Sequence, residues 1–191
     1  MLFRSNMHRI KMENILKIKK HRYFNNSVIN HEQLNKAFYA SIIKLMIHAM
    51  LNKSLETLLI LDENFKSKVY TSNDINNVHI PDNIIRKLDS DSSVKYIMMH
   101  NHPNNSNFSI LDLYTFIQRY QICNLVVVTN DCKHISVLGM HNSVNMRTRS
   151  KMLQFIDEYC NKYNKNEHSS AERLIQYFQT KGLMYAVYRN Y

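Results

Sequence analysis

The sequence predicts an α/β protein, a mixed sheet covered by helices, with helical extensions at both ends. Three observations carry that expectation. Stretches with apolar residues at three- and four-residue spacing alternate with short apolar runs between residues 30 and 142. One of these runs, residues 94–99, is apolar except for Lys95 and reads as a buried central strand. The hydrophobic fraction, 45%, is enough for a core without disulfides or a membrane. The chain divides accordingly into a basic N-terminal extension (1–29), a central domain (30–142) and a C-terminal helical extension (143–191).

The N-terminal extension carries Arg4, Arg9, Lys11, Lys17, Lys19, Lys20 and Arg22 against Glu13 alone. Ile10, Leu16 and Ile18 permit a short amphipathic helix packed on the domain by its few apolar residues. The alternative reading is an arm that grips an acidic partner. A helical pattern then opens at Asn30-His31-Glu32. It carries Leu34, Phe38, Ile42, Leu45, Met46 and Ala49, and stops at Asn52-Lys53.

Residues 55–61 and 68–70 read as two strands joined by a turn at Asp62-Glu63-Asn64. Glu56, Leu58 and Ile60 share one face of the first strand. By itself Glu56 reads as an ordinary exposed strand carboxylate. Residues 71–77 form a polar loop, and Pro81-Asp82 starts a helix through Ile84, Ile85 and Leu88. Beyond the central strand a helix is expected from Ile110 to Gln121, burying Leu113, Phe116, Ile117 and Tyr120. Residues 125–129 form a fully buried strand, Asn130-Asp131 turns the chain, and residues 134–138 return. Asn is expected to take the left-handed turn positions, because the chain has only two glycines.

From Ser143 the pattern is helical to the end. Leu153, Ile156, Cys160 and Tyr163 form one stripe, and residues 164–168 interrupt it. Ser169-Ser170-Ala171-Glu172 reads as a capping box for a second helix carrying Leu174, Ile175 and Phe178. Lys181-Gly182 stops that helix. The Tyr-rich tail, residues 183–191, docks on the domain, a partner or a second copy.

Three scattered cysteines, with no Cys-x-x-Cys pair, suggest neither a disulfide framework nor a zinc ribbon. They fit a reducing, cytoplasmic setting. The start of the chain lacks an apolar core long enough for a signal peptide, and no stretch approaches a membrane span. A formal charge of +10 attracts nucleic acid, chiefly through the basic N-terminal segment. The same richness in Lys, Asn, Ile and Tyr is what an AT-rich genome produces without any such function. No nucleic-acid motif accompanies the charge.

The central strand ends in His100-Asn101-His102-Pro103. Residues two apart on a strand point to one face, so both imidazoles can aim at one point. Pro103 and the Asn-rich segment turn the chain. Ser109 then opens a helix, with Asp112 one turn along. Ser-x-x-Asp is also a helix start in its own right, and that role is compatible with ligation. Two imidazoles and a carboxylate suit zinc with one position left open, the catalytic rather than the structural arrangement.

The order His-x-His-Pro, short loop, Ser-x-x-Asp resembles the zinc motif of the JAB/MPN (JAMM) metalloproteases. Their bacterial and phage RadC-like relatives often begin it His-Asn-His-Pro, as here. The resemblance covers roughly residues 30–142. It implies a deaminase-like core, zinc bound by His100, His102 and Asp112, and Ser109 at the oxyanion. It also implies a glutamate general base at the start of an upstream strand, the place that Glu56 occupies. Between His102 and Ser109 this chain has one residue fewer than the usual family pattern. The implied activity is zinc-dependent cleavage of a peptide or isopeptide bond in a protein or peptide substrate. The alternative is a non-catalytic binding module on the same fold, associated with nucleic acid or a mobile-element assembly. The complete motif favours the enzyme. The strings His-Glu-x-x-His and Pro-Cys-x-x-Cys are absent, which argues against those protease and deaminase types.

Overall fold

A computed structural model describes residues 8–20, 32–64, 66–72, 78, 80–89, 94–163 and 167–190. The described elements are α1 (Met12–Lys20), α2 (Glu32–Leu51), β1 (Thr57–Asp62), β2 (Ser67–Thr71), α3 (Asp82–Asp89) and β3 (Tyr96–His102). They continue with α4 (Ile110–Gln118), β4 (Ile122–Thr129), β5 (His134–Met140), α5 (Met146–Tyr163), α6 (Glu167–Thr180) and β6 (Met184–Asn190). The strands form one mixed sheet in the order β2-β1-β3-β4-β5-β6. Only β3 and β4 run parallel, and α4 connects them; the other neighbours are antiparallel. The expected α/β class and mixed sheet covered by helices are therefore present.

Helices cover both faces, which is why the central strands are apolar without clean alternation. On one face Phe38, Ile42, Leu45 and Met46 of α2 bury Leu59, Met99, Val126 and Val128. On the other, Leu113 and Phe116 of α4, Met152 and Ile156 of α5 and Phe178 of α6 bury Leu58, Ile60, Met98 and Val127. Each such side chain contributes about 1.5–3 kcal/mol when fully buried. Met98 belongs to the second face, so His100 and His102, in step with it, do too. No helix among the described residues is long and apolar enough to cross a membrane.

Several expectations are corrected. In the N-terminal segment Ile15 is buried with Ile10 and Ile18, whereas Leu16 is exposed. The first strand begins at Thr57, leaving Glu56 just ahead of it. Helix α4 stops at Gln118, and Tyr120 lies beyond it under the charges of Lys95 and Arg149. The buried stripe of α5 is Arg149, Met152 and Ile156, while Tyr163 is exposed. Arg149 occupies an inward position because its guanidinium donates to the carbonyls of Phe116, Ile117 and Arg119. A cation there meets the negative end of the α4 dipole.

Helix α6 begins at Glu167, so Ser169 and Ser170 lie inside it rather than capping it. The tail is not helical. It becomes β6, which pairs with β5 at the sheet edge. Left-handed backbone falls on Lys53, Ser54, Asn105 and Cys132, so asparagine takes only one of these non-glycine positions among the described residues. Expectations for Arg4, Lys19, Lys20 and Arg22, for Asn30-His31 and Leu34, for residues 73–77 and for 164–166 concern side chains or backbone outside the described residues, whereas residues 167 and 168, expected in the break, are already helical.

Candidate metal centre

Strand β3 brings two imidazoles to its C-terminal end, and both are buried. His100 Nε2 and His102 Nε2 lie 2.9 Å apart. Asp112 closes the triangle, with Oδ1 3.0 Å from His100 Nε2 and Oδ2 3.3 Å from His102 Nε2. The three residues sequence reasoning assigned to a metal are therefore together. Among the described residues they are the one group of its kind.

Asp112 reaches the site because the loop after β3 ends in a helix cap. Ser109 has an extended backbone, and its Oγ accepts from the Asp112 N–H at 3.0 Å. Asp112 Oδ2 in return accepts from the Ser109 N–H at 2.7 Å and the Ser109 hydroxyl at 2.8 Å. This reciprocal box fixes the carboxylate rotamer beside the positive end of α4. Burial alone would push the Asp112 carboxyl up. The charges and hydrogen bonds of His100 and His102 outweigh it and hold the group well below the usual carboxylate range. Burial likewise lowers His100, yet Asp112 and then Glu56 raise it above its ordinary value.

Ser106 was not foreseen in the sequence. Its carbonyl lies 3.0 Å from His102 Nδ1. A carbonyl only accepts, so Nδ1 carries a ring proton, which leaves Nε2, facing the cluster, as the atom that could bind a metal. Such an outer hydrogen bond is how metal-ligating histidines are oriented. Only the Asn-rich composition of the loop hinted at this turn, and it named no residue.

Glu56 stands across the sheet from the pair. Leu58 opposes His100 in the last β1–β3 pair, and Glu56 lies two residues before Leu58, just ahead of the strand. Burial pushes its carboxyl above the usual range, His100 and His102 pull it down, and Asp112 adds to the rise. Glu56 is thus partly buried and electrostatically coupled to the cluster, which an ordinary exposed strand carboxylate would not be.

Two imidazole nitrogens and a carboxylate oxygen can hold a metal ion. Ligand bonds of about 2.0–2.1 Å in a tetrahedron put ligand atoms about 3.3 Å apart. Here the two nitrogens stand 2.9 Å apart, and a different Asp112 oxygen faces each, at 3.0 and 3.3 Å, so a single ion requires a small opening of the nitrogens and a turn of the carboxylate. No protein-family model matches this chain, and no curated protein or solved structure matches it either.

Proposed function

We propose that this protein is a zinc-dependent hydrolase of peptide or isopeptide bonds, with a JAB/MPN-type site on a deaminase-like core. The observation that carries the reading is the convergence of His100, His102 and Asp112, with the partly buried Glu56 coupled to them from just ahead of β1. Three protein ligands leave a position open, and a borderline-soft, tetrahedral ion fits two nitrogens and an oxygen. Zinc bound there supplies a Lewis acid and a water acidic enough to react near neutral pH.

The remaining work falls to the chain. Glu56 accepts the proton of the attacking water and returns it to the leaving nitrogen. Burial lifts its carboxyl toward a working value, which suits both transfers. His102 is held by Ser106 in the tautomer that ligates. Asp112 is held in place by Ser109 and kept ionised by His100 and His102. Ser109 also stabilises the oxyanion, for which its hydroxyl must turn from Asp112 Oδ2. A metal drawing charge from that carboxylate weakens the bond to be broken.

The test has two readouts. Protein reconstituted with zinc and desalted retains the metal, and His100→Ala does not. Cleavage is screened on a fluorogenic peptide library and on model peptides joined through a lysine side chain. Glu56→Gln keeps the zinc while turnover falls by about two to four orders of magnitude. Glu63→Gln, in the exposed β1–β2 turn, changes nothing. Failure to retain zinc sinks the reading, and so does full activity in Glu56→Gln.

A further inference from the structure

We propose that Asn101, the residue between the two histidine ligands, is a positioning residue that sets Glu56 against the metal. This rests on the hydrolase reading above. Alternation along β3 turns Asn101 away from the face that carries His100 and His102. It is fully buried there. Its amide does not bond across β3 at random. Oδ1 accepts from the Thr57 N–H at 2.8 Å, and Nδ2 donates to the Leu55 carbonyl at 3.2 Å. Those two groups belong to the residues on either side of Glu56. One side chain therefore clasps the backbone before and after the carboxylate, from the strand that also carries both imidazoles.

The clasp is needed because the regular ladder ends short of Glu56. The last β1–β3 pair is Leu58 with His100. On the other side, the Glu56 carbonyl accepts a 3.2 Å bond from the Ser72 N–H. The chain also enters β1 from an unfavourable turn. Lys53 and Ser54 have φ of 56° and 62°, left-handed values that non-glycine residues avoid. A turn of that kind persists only when its surroundings hold it. Asn101 Nδ2 also donates to Asn130 Oδ1 at 2.7 Å, and Asn130 Nδ2 donates to the Ser54 carbonyl at 2.9 Å. Asn101 thus holds the chain at Leu55 and Thr57, on either side of Glu56, while Asn130 holds Ser54 one step upstream, outside that span. A displacement of about 1 Å at a reacting group can cost about a hundredfold in rate, so this hold bears on catalysis and not only on stability.

The experiment uses the full chain loaded with cobalt(II) in place of zinc, which makes the metal visible. Visible bands are followed against pH, where they report ionisation at the metal, for wild type, Glu56→Gln, Asn101→Ala and the double variant. Metal stoichiometry and Thr57 amide exchange are measured on each. Asn101→Ala should bind cobalt in full and exchange the Thr57 amide faster. Its band-against-pH curve should move toward that of Glu56→Gln, and the double variant should match Glu56→Gln with no further shift. Asn101→Thr, β-branched and suited to a strand, gives the same reading should the alanine variant fail to fold. Asn130→Ala serves as comparator, because it loosens the network and leaves both Asn101 bonds to residues 55 and 57 in place. It should lower stability without moving the curve.

If Glu56→Gln moves the curve and Asn101→Ala and Asn101→Thr do not, Asn101 is structural only, and the hydrolase reading stands without it. An Asn130→Ala shift as large as that of Asn101→Ala also overturns the proposal, since general rigidity would then explain both. A wild-type chain that takes up no cobalt, or a curve that Glu56→Gln leaves unmoved, overturns the hydrolase reading and this inference with it.

Discussion

At the scale of single residues, Ser109 shows how one side chain serves both fold and site. It is the N-cap of α4 and the hydrogen-bond partner of a proposed ligand oxygen. Ser109→Ala should cost about 1 kcal/mol as a lost cap. It should also weaken zinc binding by about ten- to a hundredfold, the usual effect of removing a ligand's outer partner. Competition against a chelator of known affinity measures this, with Asp112→Ala expected to lose far more. Equal loss in the two variants would make Ser109 a ligand and the assigned set wrong. The meeting of His100, His102 and Asp112 was legible in the sequence, because two-residue alternation and helix-cap chemistry are local rules. The orienting carbonyl of Ser106 and the Asn101 clasp were not. They depend on the path of a loop and on strand register, which no local pattern encodes. Glu56 lies between these cases: the strand it precedes was legible, but its coupling to the histidines follows from the tertiary fold.

Elements were legible where burial was one-sided or complete, as in α2, β3 and β4. The edge strand β6, which exposes part of both faces, was missed, whereas the edge strand β2 was read from its hairpin turn. In β6 only Met184 is fully buried, and the rest are half-buried or exposed, so no clean period of two appears. The signal that could have found it is the β-favouring run Tyr185-Ala186-Val187-Tyr188. Its register is fixed by one of the two glycines in the chain. Gly139 of β5 opposes Tyr185, whose ring lies over it and accepts a 3.2 Å bond from Asn124 Nδ2. A Cβ at position 139 would sit 1.9 Å from Tyr185 Cζ. Gly139→Ala must therefore expel the ring, at about 1–3 kcal/mol. Thermal melts should show the loss, and amides of residues 184–190 should exchange faster while zinc binding is unchanged. Tyr185→Ala should cost less in the Gly139→Ala background than alone, since the contact is already gone. Unaltered melting and exchange in Gly139→Ala would refute the role given to this pair.

At the scale of the whole molecule, both terminal segments join the central fold. Ile10, Ile15 and Ile18 enter the core under α2, and β6 completes the sheet. Composition separated these segments because charge and tyrosine content change along the chain, whereas packing follows apolar positions that are few and spaced. The site in turn makes overall stability depend on pH in a way that metal should reverse. In protein stripped of metal, His100 has a folded pKa above 6.5. Its contribution is fully present below 6.5 and fades as pH rises through the folded value. Glu56, also raised, acts in the same sense above 4.5. Asp112 is depressed, so its contribution is present above 3.8 and is lost only as pH falls through its much lower folded value. Stripped protein should therefore melt at lower temperature at pH 8 than at pH 6. Zinc competes with the His100 proton, so its stabilisation should be small at pH 5.5 and grow toward pH 8. Melting curves with zinc and with chelator should diverge as pH rises, and His100→Gln should weaken the first trend and abolish the second. A zinc increment equal at pH 5.5 and pH 8 would mean that the metal does not displace this proton, and that His100 is not among its ligands.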